Sequence, residues 1–357
     1  MRTGYAQLPL HGGKAPSWLF SRMTRLAREI VCHIVSEYGP SEVLMRLSDP
    51  YWFQAFGCVL GFDWHSSGVT TTTCGAVKEG IKGLEGELGL YAAGGKGGAS
   101  RKTPDQITRV CEGLSQDPDG LVHASRISAK VDNSAVQDGF QLYHHSFFFT
   151  DKREWCVVQQ GFNDSIRSAR RYHWLGKGLL SFVEEPHAAI CSDKRTETLD
   201  LTARESSGTR DAVTEIAGQP DRSVLRDMER LPNLVMPERH WVKAVDINPK
   251  YLRKIMLKTY EESPGSFEEL LGIKGVGPKT LRALTLVSEL IYGTRASVRD
   301  PARFSFAHGG KDGTPFPVDR ETYENTISLL HDALRRAKID RSEKLKAIRR
   351  LSLFGKE

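Results

Sequence analysis

The chain has 357 residues, enough for two domains, and its 39% hydrophobic and 26% charged residues are typical of a folded globular protein. No stretch approaches the roughly 20 apolar residues of a membrane span, and residues 1–5 do not open an apolar signal core, so we expect a cytoplasmic protein that does not bind membranes. The six cysteines are widely spaced without a CxxC pair, which argues against a zinc ribbon or a ferredoxin-type cluster.

Composition divides the chain into two parts. All six cysteines lie at or before position 191, whereas the segment from 192 to about 225 is polar with few large apolar residues. We predict an α+β domain over 1–191, a connector over 192–230 and an all-α domain over 231–357. The formal net charge is +6, and the last 23 residues alone carry nine Lys/Arg against three Asp/Glu, so a basic C-terminal helix is predicted to face a polyanion.

The predicted elements of the first domain begin with an amphipathic helix over 17–38, where apolar residues recur at helical spacing. Aromatic and β-branched runs at 140–150 and 155–160, separated by a charged turn, predict a β-hairpin. The polar run Asn163-Asp164-Ser165 resembles a helix N-cap, so an Arg-rich helix is predicted over 166–174. Helices with one clear hairpin indicate the α+β class.

The strongest local motif of the second domain is LLGIKGVGPKTLRAL at 270–284, which resembles the helix-hairpin-helix family. Two glycines bracket Val276 in a tight turn, and Pro278 suits the first position of a second helix. Such a helix N-terminus binds phosphate, so sequence-independent binding to a nucleic-acid backbone is predicted. The residues predicted to contact nucleic acid here are Lys274, Gly275, Gly277, Lys279, Thr280 and Arg282.

Lys279 also matches the lysine that attacks the sugar in bifunctional helix-hairpin-helix DNA glycosylases. Those enzymes carry an aspartate a little downstream, and here Asp300 lies 21 residues and Asp319 lies 40 residues after Lys279. The spacing of Asp319 is too long for the glycosylase pattern and the context of Asp300 differs. Contact with phosphate is therefore preferred for Lys279, and abasic-site lyase chemistry stays an alternative.

Polar clusters in the first domain suggest an active site. Asp63 and His65 would point to one side of an extended segment and could share a metal ion. Asp138 precedes the predicted hairpin, an order that resembles metal-dependent nucleases, although Gln159 and Gln160 stand where a second acid and a lysine are expected. The predicted catalytic residues are Asp63, His65, Asp138, His145 and His173. The first three, Asp63, His65 and Asp138, are also the predicted ligands of Mg²⁺ or Mn²⁺.

Further cations of the first domain are predicted to contact the nucleic-acid backbone. A glycine-rich loop holds three of them and the predicted Arg-rich helix holds the others: Lys96, Arg101, Lys102, Arg167, Arg170 and Arg171. The loop lacks the Walker A spacing, which excludes a P-loop ATPase. The segment Glu184-Glu185-Pro186-His187 could supply metal ligands or a general base.

Several segments together, among them LPLHGGKAPSWL, GGKGGASRKTP, DGFQLYHHSFFF and FAHGGKDGTPFPVDR, resemble the uncharacterised prokaryotic domain-of-unknown-function family 763. The resemblance spans nearly the whole chain and implies kinship rather than a reaction. From the residues we expect a DNA-binding protein, foremost a metal-dependent nuclease of DNA repair or recombination. The alternatives are a noncatalytic adaptor that docks a repair protein and a glycosylase or abasic-site lyase that uses Lys279.

Overall fold

A computed structural model describes residues 15–62, 66–218, 249–303 and 320–354 of the chain. The α-helices in these ranges are α1 (Ser17–Tyr38), α2 (Pro40–Ser48), α3 (Pro50–Leu60), α4 (Gly68–Ile81), α5 (Glu85–Leu88), α6 (Thr103–Gly113), α7 (Asp119–Lys130), α8 (Ser207–Gly218), α9 (Pro249–Glu262), α10 (Phe267–Gly272), α11 (Pro278–Tyr292), α12 (Arg320–Arg336) and α13 (Arg341–Phe354). The strands are β1 (Leu90–Lys96), β2 (Val136–Gln137), β3 (Gln141–Thr150), β4 (Trp155–Asn163), β5 (Ser168–Leu175), β6 (Ala189–Cys191) and β7 (Leu199–Asp200). None of these helices combines the length and the apolar character needed to cross a bilayer.

The centre of the molecule is a five-stranded antiparallel sheet in the order β1-β3-β4-β5-β6. The predicted hairpin is confirmed, because β3 and β4 pair through the turn at 151–154. The short strands β2 and β7 form a separate antiparallel pair. With helices on both sides of this sheet, the α+β class predicted from the sequence is confirmed.

Local sequence accounts for the first helices. The predicted helix over 17–38 is confirmed as α1, whose apolar spacing buries Met23, Ile30 and Ile34 on one face. Helix α3 begins where the Asp49 carboxylate accepts hydrogen bonds from the backbone amides of Tyr51 and Trp52, with proline in the first turn. It ends at Gly61, whose φ of 112° lies in the left-handed region that favours glycine.

The predicted Arg-rich helix over 166–174 is wrong, because this segment is strand β5. The side chain of Asn163 accepts hydrogen bonds from the amides of Ser165 and Ile166, so the polar run closes a tight turn between strands instead of capping a helix. Strand β5 lies in the middle of the sheet and seven of its eight residues are buried. It therefore lacks the alternation of polar and apolar residues by which a half-buried strand is recognised.

Two apolar cores occupy the two faces of the sheet. One core joins the sheet to α1–α4 and includes residues of α12 and α13, such as Leu330 and Leu351. The other joins the opposite face to α6, α7 and α8 and includes residues of α10 and α11, such as Leu270 and Leu284. The predicted first domain and the described part of 231–357 therefore share both cores.

The described part of the predicted connector, residues 192–218, is built into the fold. Strand β7 pairs with β2, and α8 buries Val213, Ile216 and Ala217 in the second core. Residues 219–230 of the connector lie outside the described ranges. The domain boundaries at 191 and 231 stay a prediction.

Candidate functional site

The turn between α10 and α11, residues 273–277, has the form expected for a short helical hairpin. Ser266 caps α10 by accepting a hydrogen bond from the amide of Glu269. Val276 is 1% exposed and anchors the turn in the core. Gly275 has a φ of 105°, a left-handed conformation that only glycine adopts without strain. Glycine at position 275 is therefore required by the bend itself.

Gly277 has a different environment. It precedes α11 with extended backbone (φ −142°, ψ −174°), and no side chain caps the helix there. A Cβ placed on Gly277 would meet nothing within 4 Å. Neither the backbone conformation nor the packing of the folded chain demands glycine at this position. Glycine here leaves the N-terminus of α11 without a side chain at this position.

Two lysines from other helices hold the carbonyl groups of the turn. Lys130 Nζ donates to the carbonyl oxygen of Val276 at 2.7 Å, and Lys258 Nζ donates to that of Lys274 at 3.0 Å. In a trans peptide the carbonyl and the following amide point in opposite directions. The Gly277 amide is therefore directed away from Lys130. Burial, and then the nearby charge of Lys258, lower the pKa of Lys130.

The predicted contact residues of the turn fall into two groups. Lys274 and Lys279 are exposed, and Gly275 and Gly277 are half-buried at the surface. Thr280 is only 3% exposed, so its side chain packs in the core. The half-buried Arg282 donates from Nε to Gln137 Oε1 at 2.9 Å, while Gln137 Nε2 donates to the Pro278 carbonyl at 3.0 Å. The contact predicted for Thr280 stays a prediction, and Arg282 helps to join α11 to β2.

The lyase alternative for Lys279 stays a prediction. Lys279 is exposed, and a lysine that attacks a sugar is activated by desolvation or by a neighbouring group. Asp300 accepts hydrogen bonds from Arg170 at 2.6 Å and from the Thr196 amide at 2.7 Å, and so holds other parts of the fold together. Asp319 lies outside the described residues.

The predicted cations of the glycine-rich loop lie at the end of β1 and in the 3-10 turn Gly97–Lys102 that follows it. Lys96, Arg101 and Lys102 are exposed. Lys96 Nζ lies 5.8 Å from the centre of the Tyr143 ring. Arg167 is exposed in the β4–β5 turn with a φ of 49°.

Arg170 and Arg171 do not form a phosphate-binding helix face, which corrects their predicted role. Consecutive strand residues point to opposite faces, and both side chains are fully buried. Arg170 forms ion pairs with Asp138 at 2.9 Å and with Asp300 at 2.6 Å. Arg171 lies on the other face, where it donates to Gln54 Oε1 at 3.2 Å. Both guanidinium groups are therefore part of the interior.

The predicted catalytic residues are not brought together where they are described. Asp63 and His65 lie outside the described residues. Asp138 is 2% exposed and accepts hydrogen bonds from Arg170 and, at 2.6 Å, from the Tyr172 hydroxyl. His145 pairs with Gln159, which pairs with Tyr172, so these three side chains share one face of the sheet. His173 pairs with Val158 and follows Tyr172 in the same strand, so it extends from the opposite face. One metal ion cannot bind both imidazoles.

Burial keeps the sheet histidines neutral. Burial lowers the pKa of His144 to about 3, and it also lowers the pKa of His145 and of His173. His145 contacts Ser125 and Gln159 at 2.9 Å each. His173 Nδ1 lies 2.9 Å from the carbonyl oxygen of Leu47. These contacts explain the two predicted catalytic imidazoles as buried polar residues with internal partners.

The family model described as "Protein of unknown function (DUF763)" matches residues 4–318. The chain belongs to this family. No curated protein and no solved structure shows a significant match. The DUF763 match includes the central sheet and the α10–α11 turn, whereas α12 and α13 follow it. The matched region thus contains both the turn and the buried polar residues described above.

The structure of this DUF763 chain also contains a polar cluster around Asp132 that local sequence patterns did not predict. Asp132, in the π-helical turn Val131–Ala135, is fully buried and accepts hydrogen bonds from Gln159 at 2.6 Å and Trp174 at 3.0 Å. His187 Nε2 lies 2.5 Å from its other oxygen. A carboxylate that orients an imidazole is an arrangement used in general-base catalysis. Here the His187 ring packs 4.6 Å from the Trp174 ring, and its side chain is only 7% exposed.

The pairing of Asp132 with His187 joins residues far apart in the chain, so local patterns could not reveal it. Only His187 belongs to a polar segment singled out in the sequence, and the fold alone brings it to Asp132. Among the residues that the structure describes, no group of three or more His, Cys, Asp or Glu side chains could hold a metal ion. The predicted Mg²⁺ or Mn²⁺ site stays a prediction that depends on Asp63 and His65.

Proposed function

We propose that the α10–α11 unit is a helix-hairpin-helix that binds the sugar–phosphate backbone of nucleic acid, with DNA as the preferred partner. The observation that carries the proposal is Gly277, a glycine at an uncapped helix N-terminus that neither backbone conformation nor packing requires. A phosphate can approach such a terminus closely, and the partial positive charge of the helix favours the anion. A residue with a Cβ would hinder that approach.

The charges around the turn support the same proposal. Lys274 and Lys279 are exposed on either side of Gly277, and Lys130 and Lys258 hold the carbonyl groups on the inner side. The turn therefore has two exposed lysines beside it and two further lysines bound to its Lys274 and Val276 carbonyl groups, of which Lys258 also forms an ion pair with Glu262 at 3.3 Å. Contacts of this kind reach the phosphates rather than the base edges, so binding is expected to be independent of sequence and sensitive to salt.

We propose first that the chain is a noncatalytic DNA-binding adaptor. Asp138, His145 and His173 have internal hydrogen-bond partners, and no described cluster fits a metal ion. An Mg²⁺- or Mn²⁺-dependent nuclease of DNA repair is our second proposal, and it depends on Asp63 and His65. A cytoplasmic location and a repair-protein partner belong to the same set of proposals.

The test measures binding of the full chain to a labelled DNA duplex by fluorescence anisotropy over a range of salt concentrations. Replacing two phosphate contacts, as in Lys274→Ala/Lys279→Ala, should reduce the slope of log K against log salt by about 1.8, since each contact contributes about 0.9. The matched control is Lys152→Ala/Lys177→Ala, which removes the same charge from exposed positions in other loops. Equal slopes for the two double variants would disprove the proposal.

A divalent-metal screen on single-stranded, duplex, flap and junction DNA separates the adaptor from the nuclease. Cleavage that requires Mg²⁺ or Mn²⁺, and that His65→Ala abolishes while binding persists, would establish the nuclease and exclude the adaptor. Binding without turnover on every substrate would support the adaptor.

A further inference from the structure

A large cavity lies apart from the α10–α11 turn, between the beginning of α1, helix α4 and the ends of β1 and β3. Its volume is about 1170 Å³, which is slightly above the range typical of small-molecule sites, about 300–1000 Å³. The described residues around it include cations, aromatic rings, hydroxyl groups and a buried histidine. A site for small molecules commonly combines an apolar wall with a few polar groups that fix the orientation of the ligand.

One wall of the cavity holds an ammonium group with neutral partners. The half-buried Lys78 donates from Nζ to the Gly94 carbonyl at 2.8 Å and to Gln106 Oε1 at 2.9 Å. Burial lowers the pKa of Lys78, which shows that its charge is poorly solvated. A partly desolvated cation beside an open cavity is stabilised when an anion binds there.

A second cation and an unpaired polar atom also line the cavity. Lys96 lines the cavity and aligns with His144 on the neighbouring strand, so both side chains lie on the same face of the sheet. His144 also lines the cavity and is only 2% exposed, yet its Nδ1 has no hydrogen-bond partner. Its Nε2 lies 3.1 Å from Ser146 Oγ. A buried polar atom of this kind gains free energy when a ligand supplies the missing hydrogen bond.

Two carboxylates line the cavity as well, and the nearby charge of Glu79 partly offsets the effect of burial on the pKa of Lys78. Glu79 Oε2 lies 3.5 Å from Lys82 Nζ on the same helix, with which it forms an ion pair. Asp164 is exposed in the β4–β5 turn. Neither carboxylate forms an ion pair with Lys78 or Lys96 among the described salt bridges of the chain.

Four aromatic side chains also line the cavity, among serine, threonine and glycine residues. Phe20, Phe62, Tyr143 and Phe162 line the cavity and are each half-buried. Exposed faces of aromatic rings stack on planar heterocycles, and such stacking contributes about 1–3 kcal/mol per base in nucleic-acid complexes. An anion site next to aromatic rings matches a ligand that has a phosphate at one end and a base at the other.

We infer that this cavity binds a nucleoside phosphate, with the phosphate between Lys78 and Lys96 and the base against the aromatic wall. His144 supplies a neutral hydrogen-bonding nitrogen beside the phosphate. The inference is independent of backbone binding by the α10–α11 turn, because it uses different residues in a different part of the fold.

The experiment is isothermal titration calorimetry of the full chain with deoxyadenosine monophosphate, deoxyadenosine and inorganic phosphate. The monophosphate should bind at least about tenfold more tightly than either fragment, because only it reaches both the cations and the aromatic wall. Lys96→Ala should weaken its binding by about tenfold, the effect of losing one charge-assisted contact. Lys78→Met should weaken binding of the monophosphate to a similar extent. Because Lys96 is exposed, the Lys96→Ala variant should fold normally.

Two control variants separate this site from other positive charges. Lys152→Ala removes a charge from the β3–β4 turn and should leave binding of the monophosphate unchanged. Lys274→Ala/Lys279→Ala should also leave it unchanged while weakening the binding of duplex DNA. The inference is overturned if the monophosphate produces no binding heat, if both fragments bind as tightly, or if Lys96→Ala and Lys78→Met bind like the unaltered protein.

Discussion

The α10–α11 turn and strand β5 both carry neighbouring cationic side chains, but they place them in opposite environments. Lys274 in the turn and Lys279 at the beginning of α11 are exposed. In the strand, Arg170 and Arg171 are fully buried on opposite faces of the sheet. A run of basic residues therefore does not identify a phosphate site by itself. The surrounding fold decides whether the charge faces a ligand or an internal partner.

The two buried arginines are stabilised in different ways. Arg170 forms ion pairs with Asp138 and Asp300, and these carboxylates raise its pKa. Arg171 has neutral partners such as Gln54 and lies 4.5 Å from the Phe53 ring centre, and burial lowers its pKa. A buried cation can thus be compensated by full charges or by dipoles and an aromatic face.

Among substitutions around the two buried arginines, Asp138→Ala should cause the largest loss of stability. It leaves Arg170 buried with one carboxylate fewer, and breaking a buried ion pair costs about 3–5 kcal/mol of unfolding free energy. Urea denaturation measures the change. The control is Asp164→Ala in the exposed β4–β5 turn, which should change stability by less than about 0.5 kcal/mol. A loss below about 1 kcal/mol for Asp138→Ala would show that Arg170 does not depend on this pair.

Acid should destabilise the protein through its buried histidines. The folded-state pKa of His144 is about 3, whereas an unfolded histidine titrates near about 6.5. The unfolded state therefore takes up the proton first, so the contribution is intact above about pH 6.5 and is lost as the pH falls towards about 3. Between pH 8 and pH 5.5, His144→Gln should lose about 1.4 kcal/mol less stability than the unaltered protein. Identical losses in urea denaturation at the two pH values would refute a neutral, buried His144.

The substitution Lys130→Met tests whether a buried contact orients the turn for DNA binding. It removes the ammonium that holds the Val276 carbonyl and should weaken DNA binding about fivefold, equivalent to about 1 kcal/mol. Arg126→Met is the matched control, since Arg126 is exposed on the same helix. If both variants bind DNA alike, general positive charge rather than orientation of the turn explains the effect of Lys130.

The smallest change in stability should come from Gly277→Ala. The backbone at Gly277 is extended and a Cβ meets open space, so unfolding free energy should change by less than about 0.5 kcal/mol while affinity for DNA falls. Gly275→Ala, at a φ of 105°, should instead cost about 1 kcal/mol or more of stability. Unaltered DNA affinity in a folded Gly277→Ala protein would remove the main support for the helix-hairpin-helix proposal.

Local patterns predicted the elements whose residues interact within one segment. The spacing of Met23, Ile30 and Ile34 indicated α1, and the aromatic runs indicated the β3–β4 hairpin. The polar run at Asn163 was ambiguous, because the same side chains cap helices and close turns. Its position between two sheet strands resolved the ambiguity.

The candidate sites also differ in whether their residues are close together in the sequence. The glycines and lysines of the α10–α11 turn could be recognised because they are close in sequence. The pairing of Asp132 with His187, and the cavity that collects Lys78, Lys96 and His144, could not. These residues come from separate elements, and contact between them depends on how the strands align.

By itself, the sequence determined the class of fold, the first helix, the central hairpin and the position of the glycine turn, because these depend on spacing and backbone conformation within short segments. Only the tertiary structure decided which cations are buried, which histidines share a face and where a cavity opens. Burial and pairing depend on neighbours supplied by distant parts of the chain, and a linear pattern of residue types does not contain that information.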